Sequence, residues 1–204
     1  MTLSKWLFAA WYDLLNSTVE GRVIPYRKKT AGLTWGDVLE IGGGTGANLP
    51  FYPSDVRLTV AEPSPHMVNR LKRRADKLGR SITIVSDVGE SLPFPDASFD
   101  SVVTTLMLCM VDDLEKVVSE ARRILRPGGA FFFYEHVVSQ KPRGKQWQDM
   151  LNPVWKFLTT GCNLNRDIRG AIEAAGFSEV EIASFDLSVG VPVTIPNIVG
   201  VARA

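Results

Sequence analysis

Residues 39–48 read Leu39-Glu40-Ile41-Gly42-Gly43-Gly44-Thr45-Gly46-Ala47-Asn48, and this stretch decides the fold. The apolar run Asp37 to Ile41 has the length and character of a buried strand. The glycines that follow permit a tight turn and let backbone approach a ligand closely. A helix after the turn is expected to offer free N–H groups beside that ligand. Strand, glycine turn and helix in this order open a parallel α/β unit.

Outward from this stretch the alternation continues. Strands are expected at Arg57 to Ala61, Ser81 to Val85, Phe99 to Leu106 and Ala130 to His136. Between them, Ser64 and Pro65 start a helix with the apolar stripe Met67/Val68, Leu71, Ala75 and Leu78, closed by Gly79. Asp112 and Glu115 resemble a capping box for a second helix, buried through Leu114, Val117/Val118, Ala121 and Ile124/Leu125. Arg126-Pro127-Gly128-Gly129 ends it. Helices are also expected over residues 3–16, over Gln146 to Leu158 with Trp147, Met150/Leu151, Val154/Trp155 and Leu158 on one face, and from an Asn165 cap to Ala175. Asn152-Pro153 should kink or restart the second of these. Two final strands, near Val180–Leu187 and Ile195–Ala202, have no helix between them and read as an antiparallel hairpin. The fold class is α/β: a Rossmann-like, doubly wound sheet, mostly parallel, with ligands at the strand carboxyl ends.

Composition narrows the function classes. A chain of 204 residues with 45% hydrophobic content suits one globular domain, 1–204, and a net charge of +1 gives no global field for nucleic acid. The basic residues Arg70, Lys72, Arg73, Arg74, Lys77 and Arg80 read as a solvated helix face, with peripheral membrane contact the alternative. Cys109 and Cys162 form no CxxC pair, and with only His66 and His136 no zinc motif or metal site is expected. A reducing, cytoplasmic setting is the default. The amino-terminal apolar run around Trp6 and Trp11 lacks a cleavage site and reads as a retained helix.

The glycine loop satisfies two patterns: acidic-x-Gly-x-Gly-x-Gly through Glu40, Gly42, Gly44 and Gly46, and the dinucleotide form Gly-x-Gly-x-x-Ala through Gly42, Gly44 and Ala47. Glu62 ends the second strand, where a carboxylate can accept from both hydroxyls of a ribose. Asp87 ends the third, where it can accept from an adenine amine. These residues point to a nucleoside-bearing ligand under either pattern.

The order of further motifs carries a resemblance. Glu40 to Gly46, Glu62-Pro63, Asp87-Val-Gly-Glu90 with Leu92-Pro-Phe94, Ser98-Phe-Asp100 and Leu125-Arg-Pro-Gly-Gly129 resemble the class I S-adenosylmethionine-dependent methyltransferases. The resemblance implies a seven-stranded sheet whose last hairpin differs from that of dehydrogenases. It implies that Glu40 and the glycine loop (Gly42, Gly43, Gly44, Gly46) hold the methionine moiety, Glu62 the ribose, and Asp87 with Val88 the adenine. Asn48, Pro63, Met67 and Leu106 are expected to line the same cofactor. Tyr12-Asp13 resembles a pair near the cofactor of related bacterial enzymes. Within the superfamily, Gly44 to Asn48 with Phe51-Tyr-Pro53, Thr105 to Cys109, Glu135-His-Val137 and Gly161 to Leu164 are similar to the membrane-associated alkyl-thiol methyltransferases of animals and their bacterial relatives. The animal proteins carry a longer anchoring segment at the amino terminus.

The implied function is methyl transfer from S-adenosylmethionine to a small apolar acceptor such as a thiol. Phospholipid or quinone methylation, a nicotinamide-dependent oxidoreductase and a non-catalytic cofactor-binding protein are the alternatives. His136, just past the fifth strand, is the candidate catalytic base, with a structural Glu135–His136 pair as the competing reading. Cys109 reads as a small buried apolar residue. Residues 1–30 and 139–163, rich in tryptophan, are expected to form the acceptor-site lid.

Overall fold

The computed structural model describes residues 21–159, 161–188 and 194–204. The helix expected over 3–16, and Tyr12 within it, lie outside the described residues. The described chain opens with α1 (residues 21–29) and a 3-10 turn at Ala31–Leu33. It continues as β1 (Asp37–Ile41), β2 (Arg57–Ala61), α2 (Pro65–Lys77), β3 (Thr83–Val85), β4 (Phe99–Thr105), α3 (Leu114–Ile124), β5 (Leu125–His136), α4 (Pro142–Leu158), α5 (Ile168–Ala174), β6 (Glu179–Ser188) and β7 (Thr194–Arg203).

The seven strands form one sheet in the order β3-β2-β1-β4-β5-β7-β6. Pairs among β1 to β5 are parallel, and β7 runs antiparallel to both β5 and β6. The expected mixed sheet and terminal hairpin are therefore present. Successive side chains of a strand point to opposite faces. Leu39, Ile41, Val102, Phe131 and Phe133 pack on one face against Val117, Val118, Ala121 and Ile124 of α3 and Ile168 and Ile172 of α5. Val38, Val60, Val103 and Phe132 pack on the other against Leu71 and Ala75 of α2. On that second side, Tyr26 of α1 stacks on Tyr134 and on Phe185, with ring centroids 4.9 and 4.2 Å apart. The sheet is thus covered on both faces, and the ends of β1 to β5 share one edge.

Several boundaries differ from expectation for local reasons. β5 begins at Leu125 rather than Ala130, because Leu125 pairs with Phe99 and Ala130 with Ser101. Arg126-Pro-Gly-Gly129 is therefore a bulge opposite Asp100, with Gly128 at φ +79°, rather than a turn before the strand. Arg126 braces it through ion pairs to Asp37 and Asp100 at 3.0 and 2.7 Å. α3 is capped by Asp113, which accepts from the Lys116 N–H, and not by Asp112; the Asp112 N–H is taken by Glu90. Asp167 rather than Asn165 caps α5, since Asn165 donates to Asp149 of α4. No helix follows the glycine loop: residues 44–51 are consecutive turns, ending at Phe51 N–H to Asn48 O (2.9 Å). Pro50 and Pro53 interrupt any helix there. Leu78 of the expected α2 stripe is exposed at the helix end.

α4 departs most. It starts at Pro142, and its apolar face is exposed among the described residues: Trp147, Met150, Leu151, Val154, Phe157 and Leu158 all face outward. Of the expected stripe, Trp155 alone is half-buried and packs on the main apolar cluster; the helix is docked by it and by buried Gln148, which donates to Val137 O and Leu164 O at 3.0 Å and accepts from Ser139 N–H at 2.6 Å. A periodic stripe reports amphipathicity, not what covers it. No described helix is long and apolar enough to cross a membrane.

The β6–β7 pairing depends on Gly200. A methyl group there would meet the Glu181 carbonyl of β6 and the Phe133 ring at 2.6 Å. Gly200→Ala is expected to lower stability by about 2–3 kcal/mol through overpacking. The shift of the urea unfolding midpoint measures it, and an unchanged midpoint would contradict this register.

Candidate active site

The glycine loop turns back on itself at the end of β1. Gly42, Gly44 and Gly46 have φ of +73°, +54° and +79°, the left-handed region that side chains disfavour. Gly44 is the open one, with nothing within 4 Å of where a Cβ would stand, whereas a Cβ on Gly46 would press on Leu49 and Leu71 at 2.8 Å. The Gly44 N–H donates to Glu62 Oε2 (2.8 Å), and Ser64 N–H donates to Glu62 Oε1 (2.9 Å). Glu62 therefore ties the loop to the start of α2, and its carboxylate keeps further lone pairs for a ligand hydroxyl.

Behind the loop lies a buried polar chain. Arg27 of α1 donates to Asn48 Oδ1 at 2.7 Å. Asn48 Nδ2 donates to Glu40 Oε1 at 2.7 Å and to Thr105 Oγ1 at 3.0 Å. Glu40 is 3% exposed, and its Oε2 has no hydrogen-bond partner. Burial raises its carboxyl to about 7; Asn48, the neighbouring Tyr52 hydroxyl and Arg27 pull it back, while Glu62 pushes it further up. Arg27 and Tyr52 were not legible as site residues, because their roles arise from packing across the loop.

A second buried carboxylate holds the other end of the edge. Glu135 accepts from the Met107 N–H (3.3 Å) and Leu108 N–H (3.2 Å), shaping the turn after β4. Burial lifts its carboxyl to about 7. Leu106 enters that turn at φ +53°, a strained value for a side-chain residue, and its N–H is held by Tyr134 O at 2.8 Å. Met107 lies against Gly42, so the β4 turn contacts the glycine loop.

His136 does not stand alone. Its Nε2 is 3.0 Å from Cys162 Sγ, and its Nδ1 is buried without a partner. Cys162 Sγ is also 3.3 Å from Cys109 Sγ and 3.3 Å from Trp155 Nε1, which donates to it. The Cys109 thiol, with His136 and Trp155 helping, holds Cys162 well below the usual thiol range, and Cys109 is raised in turn. Burial opposes charge on His136, but Cys162 and Glu135 together outweigh it and raise the imidazole. The structure thus sets His136 against the Cys162 sulfur as well as beside Glu135.

The expected cofactor residues fall along one edge. Glu40, the glycine loop, Glu62, half-buried Asp87, exposed Val88 and Leu106 all sit at or just past the carboxyl ends of β1 to β4. Pro63 is exposed and Met67 half-buried at the start of α2. The inserted antiparallel β7 separates this sheet from the all-parallel nucleotide-binding order of dehydrogenases.

Known proteins agree. A family model described as a methyltransferase domain matches residues 39–133. The thiol S-methyltransferase TMT1A of Homo sapiens is 38% identical over 169 residues, covering 81% of this chain and 69% of that protein. The thiol S-methyltransferase TMT1B of Rattus norvegicus is 43% identical over 152 residues, covering 71% of this chain and 61% of that protein. The chain therefore spans roughly two thirds of the length of these relatives. A solved S-adenosylmethionine-dependent methyltransferase from Thermotoga maritima, described as a possible histamine N-methyltransferase, shares the fold with a TM-score of 0.70 at 20% identity, over 96% of this chain and 95% of that one. Fold and site together define a class I methyltransferase. The chain belongs to the S-adenosylmethionine-dependent methyltransferases, in the family that contains TMT1A and TMT1B.

Glu40 also links the site to stability. Its folded carboxyl is raised from 4.5 to about 7, so folding takes up a proton between those values. Its contribution is neutral below pH 4.5, becomes unfavourable as pH rises to about 7, and stays so above. Glu40→Gln cannot ionise and should stabilise the ligand-free protein by roughly 2–3 kcal/mol at pH 8, with little effect near pH 4. Urea unfolding at both pH values checks this, and an equal offset at both would contradict it.

Proposed function

We propose that this chain methylates the sulfur of a small apolar thiol, using S-adenosylmethionine. The observation that carries the reading is the shared strand edge, which carries the glycine loop and Glu62 at the ends of β1 and β2 and the His136 imidazole at the end of β5. The names of the thiol S-methyltransferase relatives support the acceptor class.

The residues present fit the cofactor. Glu40 Oε2, buried and unpartnered, suits an ammonium group, and open Gly44 lets backbone approach a ligand. In this reading Glu40, Gly42, Gly43, Gly44, Gly46 and Asn48 hold the methionine end. Glu62 and Pro63, with Met67, hold the ribose. Asp87 and Val88 hold the adenine, and Leu106 lines the wall. When bound, the cofactor supplies a methyl group on a sulfonium, already activated for displacement. The protein's own task is to align an acceptor lone pair and exclude water. Tyr12 belongs to this proposal on resemblance alone.

The acceptor side lies past β5. His136 there presents Nδ1 with no partner, and a thiol must lose its proton to react. His136 either takes that proton or steadies the thiolate by donating to it. Residues 139–163, with 1–30, form the lid, and the outward apolar side chains of α4 suit an apolar acceptor. Two close, unlinked cysteines fit a reducing, cytoplasmic setting.

Incubation with S-adenosylmethionine and a panel of alkyl thiols, amines, phenols, quinols and phospholipids tests the reading by mass spectrometry of the products. Methylation of hydrophobic thiols is expected. His136→Asn should lower kcat at least about 100-fold, the lower end of the roughly 10²–10⁴ contributed by a proton-handling group, with S-adenosylhomocysteine affinity little changed. Methylation of the other acceptors without thiols would overturn the acceptor assignment.

A further inference from the structure

The methyl-transfer reading uses one atom of His136 and leaves the two cysteines beside it without a task. Their arrangement has its own chemistry. Cys109, His136 and Cys162 come from three separate segments: the turn after β4, the end of β5 and the loop after α4. One ligand atom from each lies within 4.8 Å of the others. The two sulfurs are 3.3 Å apart, well beyond the roughly 2.05 Å of a disulfide, so these are two free thiols facing one another.

The segments are fastened independently of any contact between the three side chains. Asn163, next to Cys162, donates to the Cys109 carbonyl through both its N–H and its Nδ2, each at 3.0 Å. Arg166 donates to Leu108 O at 3.1 Å. Glu135 fixes the turn that carries Cys109. Both cysteines belong to the main apolar cluster and are 2% and 8% exposed. A trio of soft and nitrogen donors is therefore held in place in a water-poor setting.

We propose that Cys109, His136 and Cys162 form a binding site for one zinc-like divalent cation. Two thiolates and an imidazole are the donors that zinc and its softer congeners prefer over magnesium or calcium. Tetrahedral zinc wants sulfur and nitrogen ligands at about 2.3 and 2.0 Å. Tetrahedral bonds of those lengths set sulfur about 3.8 Å from sulfur and about 3.5 Å from nitrogen. The close pairs, at 3.0 and 3.3 Å, must open by about half an ångström, and the Cys109–His136 edge, within 4.8 Å, must draw in to match, so small side-chain adjustments let the three donors embrace such an ion. The Cys162 sulfur already lies within hydrogen-bond reach of Cys109 Sγ and His136 Nε2 and accepts from the Trp155 N–H. A cation would replace the first two, and the Trp155 N–H would remain as an outer hydrogen bond to the ligating sulfur. The ligands' protons leave to solvent on binding. Three protein ligands leave a fourth position for water or another small donor. The sequence carries no zinc motif because the sulfurs are 53 residues apart and meet only through the fold.

The chain has two cysteines in all, so any thiolate–metal signal must come from this pair. The test is to titrate the reduced, metal-stripped full chain with cadmium and follow the ultraviolet thiolate-to-cadmium charge-transfer band. The expected result is a band that saturates at one equivalent, is displaced by zinc and coincides with loss of both thiols' reactivity toward a disulfide reagent. Cys109→Ser, Cys162→Ser and His136→Asn should each weaken binding by at least roughly tenfold, with folding checked by circular dichroism. No band at stoichiometric cadmium, with both thiols freely reactive in the folded protein, would overturn the site. So would recovery of Cys109 and Cys162 as a disulfide that persists under reductant. None of these readouts requires methyl transfer, so the cation site and the acceptor assignment fail separately.

Discussion

The Asn48 side-chain amide holds the site together from both of its ends. Its oxygen accepts from Arg27 of α1, and its nitrogen donates to Glu40 of β1 and Thr105 of β4. One buried side chain therefore joins the glycine loop, a helix that covers the sheet and two central parallel strands. Burying a carboxylate such as Glu40 is costly unless it is hydrogen-bonded, and Asn48 supplies that bond. The remaining Glu40 oxygen stays unsatisfied, a cost that a bound ammonium would relieve. The site is thus built at the expense of the ligand-free protein, a common arrangement where strain and unmet polar groups serve binding.

The second half of the edge repeats the device. Glu135 is as deeply buried as Glu40, but both of its oxygens accept from backbone N–H groups of the β4 turn. That turn carries strained Leu106, Met107 against Gly42, and Cys109. The two carboxylates, on opposite faces of the sheet, set the ends of β1, β4 and β5 relative to one another. This is how a loop near residue 44 and a cysteine at residue 162 come to serve one region of the molecule.

The parts of the fold that were legible in the sequence are those set by local periodicity. The α3 stripe from Leu114 to Ile124 is buried as its spacing requires, and β1 and β2 have the bounds their apolar runs suggest. The antiparallel hairpin followed from the missing helix between its strands. Features set by distant partners were not legible. Asp112 and Asp113 are equally good caps in sequence; Glu90 accepts from both of their N–H groups, and in the folded loop it is the Asp113 carboxylate that accepts from the Lys116 N–H. The bulge at Arg126 to Gly129 exists because Phe99 pairs with Leu125. α4 has an apolar period yet docks through Gln148 and, of that stripe, Trp155 alone. Glu40 and Glu62 could be named from the motif, but Arg27, Tyr52 and the partnership of His136 with Cys162 appear only once the chain is folded.

The central claim is that Asn48 and Glu40 together prepare the loop for the methionine end of the cofactor. The most direct measurement is calorimetric titration of the wild-type chain and Asn48→Ala with S-adenosylhomocysteine, with NAD as a parallel control. Saturable binding of S-adenosylhomocysteine alone, weakened at least tenfold (about 1.4 kcal/mol) in a folded Asn48→Ala variant, is the result this account predicts. Equal affinity in the two proteins, or binding of NAD in its place, would contradict it.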